Sequence, residues 1–381
     1  TLQYFINQEI ARLTIATGES FFTATGRIIS WSPFFWLISV VLLYVWPGWA
    51  STLGTILREL LGFGTINLWA WVSLALVGII VFAGRHAYTV LEKSLKIIVP
   101  VFIVILLYIS FLNLKSSDLL LALQGLISFG YWPKGIDINI LLGAIVFAGA
   151  GGMLNLCVSL WYRDKQAGMA SHHGQITNPI TGKPHNIGLE GAEFSPSKEE
   201  LNKWHSWMRL IYLDQGLIFW FIGLSTLVLM SLNAYVVLAP LNLAPEGTNL
   251  AVSLAQIFSS RLGEMGGRLY LIMAYLMLFS VMWTIIDALS RIVSDIIYTN
   301  ARIGNWQKFF AWSKSLDLHH LYYGTILLAI ISQAILLPFN QPLTFLLISS
   351  VLGGFTMAIY APLLIYHNKT MLPRAIQPGI I

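Results

Sequence analysis

The sequence predicts an all-α polytopic membrane protein. Hydrophobic residues make up 56% of its 381 residues and charged residues only 10%, whereas soluble domains carry about 25% charged residues. The mean hydropathy is +0.72. With 14 tryptophans and 15 tyrosines, the chain also has the side chains that favour the two interfaces of a bilayer. The lipid bilayer is therefore its first predicted partner.

About nine segments are long and apolar enough to be helices that span a bilayer. They run near 1–26, 33–60, 65–84, 94–113, 137–162, 207–239, 268–298, 321–337 and 342–367. The first is marginal because it carries polar residues, and within it Glu9 and Arg12 are three apart and are predicted to pair. Since the chain opens within a helix and without an initiator methionine, we expect a piece that lacks its N-terminus.

One long polar segment, 163–206, interrupts these spans. It is rich in turn-forming residues and has few apolar anchors. Towards its end Ser197 is predicted to cap a helix, with Glu200 three residues further on. We interpret residues 1–381 as a single transmembrane transporter domain with an internal cytoplasmic loop, not as two domains.

Lysine and arginine residues predict the orientation of the chain. The net charge of +5 indicates no nucleic-acid partner, because basic residues in a membrane protein mostly report loop topology. One side holds fourteen of them: Arg27, Arg85, Lys93, Lys96, Arg163, Lys165, Lys183, Lys198, Lys203, Arg302, Lys308, Lys314, Lys369 and Arg374. The other holds five: Arg58, Lys115, Lys134, Arg261 and Arg268. The first side is predicted to be cytoplasmic.

The most informative stretch is 141–162, a membrane-length apolar helix interrupted by five small residues at 148–152. A helix loosened there frees backbone carbonyl and amide groups at bilayer depth, which is tolerable where they line a cavity or bind a ligand. Ala144, Ala148 and Gly152 would also share one helix face, in the small-xxx-small pattern of close helix packing. These residues alone support a ligand site and a packing role about equally.

A charged stripe occupies one face of the predicted helix at 268–298. Asp287, Arg291 and Asp295 recur every four residues, and Asp287 lies deepest. Ionisable groups at such depth normally face the interior of a bundle. We favour a structural ion pair between Asp287 and Arg291 over a permeation path, because a carboxylate neutralised by an arginine is a poorer cation ligand.

Other polar positions in the spans are less specific. Asp214 lies one or two turns into the helix predicted to begin near Trp207, where it would anchor that helix end near the interface. Ser349 and Ser350 precede Gly353-Gly354 and give the last span a small, polar patch. The patch suits a site shared with the 148–152 break, and close packing of small residues explains it equally well.

Nothing in the sequence predicts an enzyme or a cofactor. It has no Ser-His-Asp set, cysteine nucleophile or paired carboxylates within a span, and its single cysteine, Cys157, is expected to be a buried structural thiol. His172, His173, His185 and the pair 319–320 lie in polar loops, without cysteines at zinc-motif spacing. Solvated side chains are favoured there over weak cytoplasmic metal contacts.

Residues 4–19, YFINQEIARLTIATGE, resemble the second helix of the Nramp (natural resistance-associated macrophage protein) divalent-metal transporters. That helix carries an Ala-Arg-Leu and a Thr-Gly at this spacing. The likeness extends thinly to the third helix at Gly54-Thr55, the broken sixth at 141–163 and the tenth around Pro362. It implies the inverted-repeat LeuT-type bundle, with the first helix, which bears an Asp-Pro-Gly-Asn metal site in the family, missing.

The sequence departs from the family at two sets of residues. The Met-Pro-His of the sixth helix falls on 149–151, so both the thioether and the imidazole are replaced by glycine and alanine. Thioether ligands select soft transition metals, whereas an all-oxygen site suits hard ions. The acidic pair of the third helix, linked to proton movement, falls on Gly48 and Ser51. Both losses are similar to those in the divergent Nramp-related magnesium transporters.

The resemblance implies a secondary transporter that moves a divalent metal cation, Mg²⁺ or Mn²⁺, by alternating access and without proton coupling. Backbone carbonyls at Ala148, Gly149 and Gly151 are the expected ligands, with Asn155 and Ser349 as the polar wall. The missing first helix would supply a carboxylate. The expected location is the bacterial inner (plasma) membrane, and the sequence does not indicate an oligomeric state.

Two other functions stay open. One is a LeuT-type carrier of amino acids or small organic solutes, in which the glycine-rich break binds a carboxylate through backbone amides. The other is a non-transporting membrane receptor or scaffold, in which the glycines serve packing and the segment 163–203 is a docking surface. An acidic residue in the missing helix would favour cation binding.

Overall fold

The computed structural model describes residues 2–83, 85–128, 130, 135, 137–172, 189, 191–241, 243, 250–339 and 342–379, with the backbone alone at 83, 85–92, 172, 342 and 343. All regular structure in these residues is helical. Six helical stretches are long and apolar enough to cross a membrane: 32–61, 93–113, 198–241, 250–302, 318–339 and 344–371. The chain is thus an all-α protein of the polytopic membrane class. The count of nine spans and the LeuT-type arrangement stay predictions.

Fourteen α-helices are present in the described residues. They are α1 (Leu2–Thr17), α2 (Phe21–Ile28), α3 (Ser32–Tyr44), α4 (Gly48–Leu61), α5 (Ile66–Ala83), α6 (Arg85–Asn113), α7 (Ser116–Ile127), α8 (Ile138–Phe147), α9 (Leu154–Asp164), α10 (Lys198–Leu213), α11 (Gly223–Leu238), α12 (Leu250–Arg302), α13 (Leu318–Leu336) and α14 (Pro342–Met371). The short helix α7 has no counterpart among the predicted spans.

Besides 137–162, which forms α8 and α9, two of the predicted spans are each divided into two helices. The segment 1–26 forms α1 and α2, because Gly18 takes a left-handed conformation (φ 75°) that ends α1. Ser20 then caps α2 by accepting the N–H of Thr23 at 3.1 Å. The segment 33–60 forms α3 and α4, which meet at Pro47. Proline lacks an N–H and disfavours helical geometry in the residue before it, so a helix ends there.

The helix predicted to begin near Trp207 begins earlier. Ser197 caps it by accepting the N–H of Glu200 at 3.3 Å, which confirms the predicted cap. Helix α10 continues through a π-helical segment, Asp214–Ile222, into α11. The last part of the predicted loop 163–206 is therefore helical, and Asp214 lies in the middle of a long helix. The expectation that Asp214 anchors a helix end was wrong, since the cap at Ser197 opens the same helix.

Helix α12 is interrupted at Gly263. Gly263 has φ 65° and ψ −167°, a conformation open to glycine and strained for other residues. It separates residues 250–262 from the longer part of α12, which holds the predicted span 268–298. The charged stripe lies on this second part.

Apolar side chains form both the core and the outer surface. The largest buried cluster joins α1–α5 to α9, α13, α14 and the second part of α12, and includes Ile10, Trp36 and Leu156. Cys157 is a free, buried thiol, as predicted. On the outside, Phe111 is 83% exposed. An apolar outer surface of this kind is suited to contact with lipid.

Polar contacts hold α1 in place. The predicted pair is present, with Arg12 Nε 3.1 Å from Glu9 Oε2. Arg12 also donates to the carbonyl of Ile376 at 2.8 Å, and Asn368 Nδ2 donates to Glu9 Oε2 at 2.7 Å. Helix α1 is thus fastened to α14 and to the C-terminal tail.

The end of the polar segment covers the junction between α1 and α2. The N–H of Ala192 donates to the carbonyl of Thr17 at 2.8 Å, and that of Gly191 donates to Glu19 Oε1 at 2.7 Å. Phe194 is buried nearby. Residues 173–188 and 190, which include His173 and His185, lie outside the described residues, and the cytoplasmic side of this segment stays a prediction.

Candidate functional site

The helix break predicted at 148–152 is present. Helix α8 ends at Phe147 and α9 begins at Leu154. Between them Gly151 and Gly152 have φ values of 70° and 52°, which only glycine adopts at little cost. The glycine run therefore turns the backbone and frees its polar groups from α-helical pairing.

Buried tyrosines bind the freed carbonyl groups. Tyr360 donates to the carbonyl of Gly152 at 2.9 Å. The carbonyl of Gly151 accepts from the hydroxyl of Tyr44 at 3.4 Å and from the N–H of Leu154 at 3.1 Å. Helix α14 passes very close, since a Cβ atom added at Gly152 would lie 2.9 Å from the Cα of Gly353. The break is thus held between α3 and α14.

Gln3 caps the end of α8 from the side of α1. Its Nε2 donates to the carbonyl of Val146 at 2.9 Å, and its Oε1 accepts the N–H of Gly151 at 3.4 Å. A Cβ added at Gly149 would lie 2.2 Å from Gln3 Oε1. The side chain therefore bridges the two sides of the break.

A chain of buried amides starts just after the break. Asn155 Nδ2 donates to Asn7 Oδ1 at 2.7 Å, and Asn7 Nδ2 donates to Gln215 Oε1 at 2.9 Å. Gln215 Nε2 then donates to Asp214 Oδ2 at 3.1 Å. An ionised carboxylate can only accept hydrogen bonds, so it fixes the orientation of every amide in the chain. All donors point towards Asp214.

The other end of this chain is an open acceptor. Asn155 is fully buried, and its Oδ1 has no hydrogen-bond partner among the described residues. Buried polar atoms are normally paired, and leaving one unpaired costs about 1–3 kcal/mol. Aligned hydrogen bonds polarise one another, so electron density is pushed towards this oxygen. It is suited to bind a cation or a hydrogen-bond donor.

The π-helical segment brings the carboxylate end of the chain into place. Asp214 and Gln215 are its first two residues. Gln215 is buried against α1, whereas Asp214 is exposed among apolar neighbours. Single π-helical turns are rare and are frequent at functional sites.

The five predicted ligand residues have different environments. Ala148 is exposed, Gly149 is half-buried beside Gln3, and the carbonyl of Gly151 accepts from Tyr44. Asn155 carries the open oxygen. Ser349 Oγ donates to the carbonyl of Leu43 at 2.5 Å, which ties α14 to α3. Their role as cation ligands stays a prediction.

The alternative packing stripe is not formed. Ala144 and Ala148 are both exposed, and only Gly152 of the three is buried. The helix ends at Phe147, so the four-residue spacing no longer places these residues on one face. Gly143, whose added Cβ would lie 3.0 Å from Ser350 Oγ, makes the close contact between α8 and α14.

The predicted ion pair is also present, within a larger network. Arg291 Nε lies 2.7 Å from Asp287 Oδ2, and Arg291 also contacts Asp164 on α9. Trp161 Nε1 donates to Asp287 Oδ2 at 3.1 Å, and the hydroxyl of Tyr322 donates to Oδ1. The network joins α9, α12 and α13.

The third member of the stripe pairs with a different helix. Asp295 is 2.6 Å from Arg163 Nη1, with both side chains at most 5% exposed. Ser20 Oγ donates to the other oxygen of Asp295 at 2.6 Å. Consecutive residues of α9, 163 and 164, thus bind successive turns of α12.

Three residues that complete the site were not predicted as part of it: Gln3, Asn7 and Gln215. Polar residues in the marginal first span indicated that α1 faces protein, and Gln215 follows the noted Asp214. Those signals indicate that the residues are buried, but they do not predict which of them hydrogen-bond to one another.

Three histidines that the sequence places in polar loops, 172, 319 and 320, are helical in the structure. His172 ends a short 3₁₀ helix, Gly168–His172. His319 and His320 lie with Asp317 at the start of α13.

Comparison of the chain with known protein families gives no match, and neither does comparison with curated proteins.

Proposed function

We propose that this chain is a secondary transporter that moves a divalent cation, Mg²⁺ or Mn²⁺, by alternating access. The observation that carries the proposal is the open Oδ1 of Asn155, fully buried beside a helix break. Transporters commonly place broken helices and freed backbone groups around a substrate site in the middle of the bilayer. A buried oxygen that accepts no hydrogen bond is a natural cation contact.

The chemistry of the break favours a hard cation. The backbone carbonyls at 148–150 and the side-chain carbonyl of Asn155 offer only oxygen atoms, which are the ligands that Mg²⁺ and Mn²⁺ prefer. Asp214, at the far end of the amide chain, supplies negative charge through Gln215 and Asn7. Asp214 lies in the stretch 198–241, which is long and apolar enough to cross a membrane, and an ionisable residue in such a stretch is by default a functional candidate.

A carboxylate substrate fits this arrangement less well. Capture of a carboxylate would need unpaired backbone amides at the break. One of these amides, the N–H of Gly151, donates to Gln3. The open group of Asn155 is an acceptor, which repels a carboxylate. This observation favours cation transport over amino-acid transport.

We further propose that the chain belongs to the Nramp-like branch of the LeuT-type fold. Support comes from the likeness of residues 4–19 to the second helix of that family and from the break at the position of its sixth helix. Gly48 and Ser51 stand where the family carries acidic residues, and neither can take up a proton. Transport is therefore expected to proceed without proton coupling.

The test compares two fully buried asparagines in the chain reconstituted into liposomes. Asn155→Ala removes the open oxygen, and we expect it to raise the KM for Mn²⁺ uptake about 10-fold or more, equal to about 1.4 kcal/mol. Asn233→Ala is the matched control, because both polar atoms of Asn233 are paired within the protein. That variant should lose stability and keep its KM.

Two results would contradict the proposal. One is an unchanged KM in Asn155→Ala alongside a stable fold. The other is liposomes that accumulate amino acids and take up neither Mn²⁺ nor Mg²⁺. Uptake of the cation together with protons would overturn only the uncoupled mechanism.

A further inference from the structure

The turn between α12 and α13 brings three potential metal ligands together. Asp317, His319 and His320 each offer one ligand atom, and these atoms lie within 4.8 Å of one another. The two imidazole rings are 3.9 Å apart between centroids. His320 Nδ1 is 4.0 Å from Asp317 Oδ2. Small side-chain rotations would place all three around one ion.

The carboxylate of Asp317 does not take its usual place. Asp317 is the N-cap of α13, yet its side chain makes no capping hydrogen bond. Aspartate is among the best N-cap residues because its carboxylate accepts the first free N–H groups of a helix. Here it lies on the side of the two imidazoles instead, although this leaves the helix end uncapped by a side chain.

The backbone that carries this cluster is fixed on both sides. Arg302, the last residue of α12, donates through Nη2 to the carbonyls of Leu316 at 2.8 Å and Lys314 at 3.0 Å. Leu318 is buried between the ligand positions. The ligands themselves are open to solvent, with the side chains of Asp317 and His320 59% and 60% exposed. An ion can therefore enter without rearrangement of the helices.

Two imidazoles and one carboxylate suit borderline transition metals such as Zn²⁺, Co²⁺ and Ni²⁺. Three protein ligands leave the fourth position to water, as in open zinc sites. Mg²⁺ needs oxygen ligands and keeps its water, so it does not compete well for such a cluster.

We propose that Asp317, His319 and His320 form a binding site for one transition-metal ion of the Zn²⁺ class, at the membrane surface and separate from the helix break. The site lies on the side that the lysine and arginine distribution predicts to be cytoplasmic. It does not depend on the proposed transport of Mg²⁺ or Mn²⁺.

Titration of the detergent-solubilised chain with Co²⁺ tests the site, using protein purified through a tag without histidine. We expect one Co²⁺ per chain with the visible absorption of mixed nitrogen and oxygen ligands, displaced by Zn²⁺ and not by Mg²⁺. His319→Ala/His320→Ala should abolish this absorption. Asp317→Asn should weaken Co²⁺ binding by more than about 10-fold.

His205→Ala is the matched control, since it removes one exposed histidine of α10 and should leave the Co²⁺ absorption unchanged. All four proteins should melt at the same temperature, because the substituted side chains are partly or largely exposed. The proposal is overturned if the double variant binds Co²⁺ as the unmodified chain does, or if the unmodified chain gives no such absorption. Mn²⁺ uptake in liposomes is a separate readout and does not bear on either outcome.

Discussion

Asn155 and Asn233 are both fully buried asparagines in apolar helices, and their hydrogen-bond networks end differently. Arg261 Nε donates to Asn113 Oδ1 at 2.7 Å, and Asn113 Nδ2 donates to Asn233 Oδ1 at 3.1 Å. Asn233 then donates to Ser110 Oγ at 2.7 Å. This network starts at a cation and ends at a hydroxyl. The network of Asn155 ends at the carboxylate of Asp214. At its other end, the Oδ1 of Asn155 has no hydrogen-bond partner among the described residues.

The contrast separates two uses of a buried amide. The closed network around Asn233 satisfies its donors and acceptors within the protein, so its members contribute to stability and fix how α6, α11 and α12 meet. The open network around Asn155 leaves one acceptor without a partner among the described residues, and the proposed cation would bind there. Truncation should therefore lower stability in the first case and ligand affinity in the second.

The largest loss of stability is expected at the buried ion pair between Arg163 and Asp295. Arg163→Met leaves the carboxylate of Asp295 buried without its partner, which costs about 3–5 kcal/mol of unfolding free energy. Denaturant unfolding in detergent, followed by tryptophan fluorescence, measures this loss. The double variant Arg163→Met/Asp295→Leu should recover most of it, because replacing a whole buried pair by apolar residues is often neutral. Equal losses in the single and double variants would show that the pair is not what stabilises this contact.

A middle-sized effect is expected at the break. Gly152→Ala adds a methyl group 2.9 Å from the Cα of Gly353, at a residue with φ 52°, and overpacking of this kind costs about 1–3 kcal/mol. Alanine has a higher helix propensity than glycine, but the positive φ at this position removes that gain. Gly354→Ala is the control, since its added Cβ meets Val146 at an ordinary 3.5 Å. If the two variants lowered the melting temperature equally, that result would contradict a special role for the turn.

The smallest effect is expected at the charged end of the open network. Asp214→Asn removes the carboxylate that orients the amides, and we expect the affinity for Mn²⁺ to fall about 5-fold, equal to about 1 kcal/mol. Stability should change little because Asp214 is exposed. Glu264→Gln is the control, an exposed acid paired only with Arg268 in the described contacts. Calorimetry on both variants measures the difference, and an equal loss in each would indicate a general effect of net charge.

Contacts within one helix could be predicted from the sequence. Glu9 with Arg12, Asp287 with Arg291, and Ser197 with Glu200 are three or four residues apart, and helix geometry alone places such residues together. The break at 148–152 was equally predictable, because a run of glycines weakens a helix wherever it falls.

Contacts between helices could not be predicted in this way. Asn155 meets Asn7 across 148 positions, and Asn7 meets Gln215 across 208. Periodicity identifies the buried face of each helix, but it does not say which faces meet. For the same reason, the sequence placed Asp295 in one stripe with Arg291, and its actual partner, Arg163, was not predicted. The π-helical segment was missed because hydrophobic patterns do not distinguish i+4 from i+5 pairing.

That π-helical segment, Asp214–Ile222, holds more backbone per turn than the α-helices on either side of it. If one turn of it changed to α-helical pairing, the flanking helix would rotate and translate along its axis. The shift would be about 1.5 Å and 100° for each residue by which the pairing changes. Gln215 sits at the start of the segment, so one such step would swing its amide away from Asn7 while the rest of the helix stayed intact. The buried Asn155 oxygen would then lose its connection to the carboxylate. A shift by a single residue would therefore be enough to separate the buried amide of Asn155 from the carboxylate of Asp214.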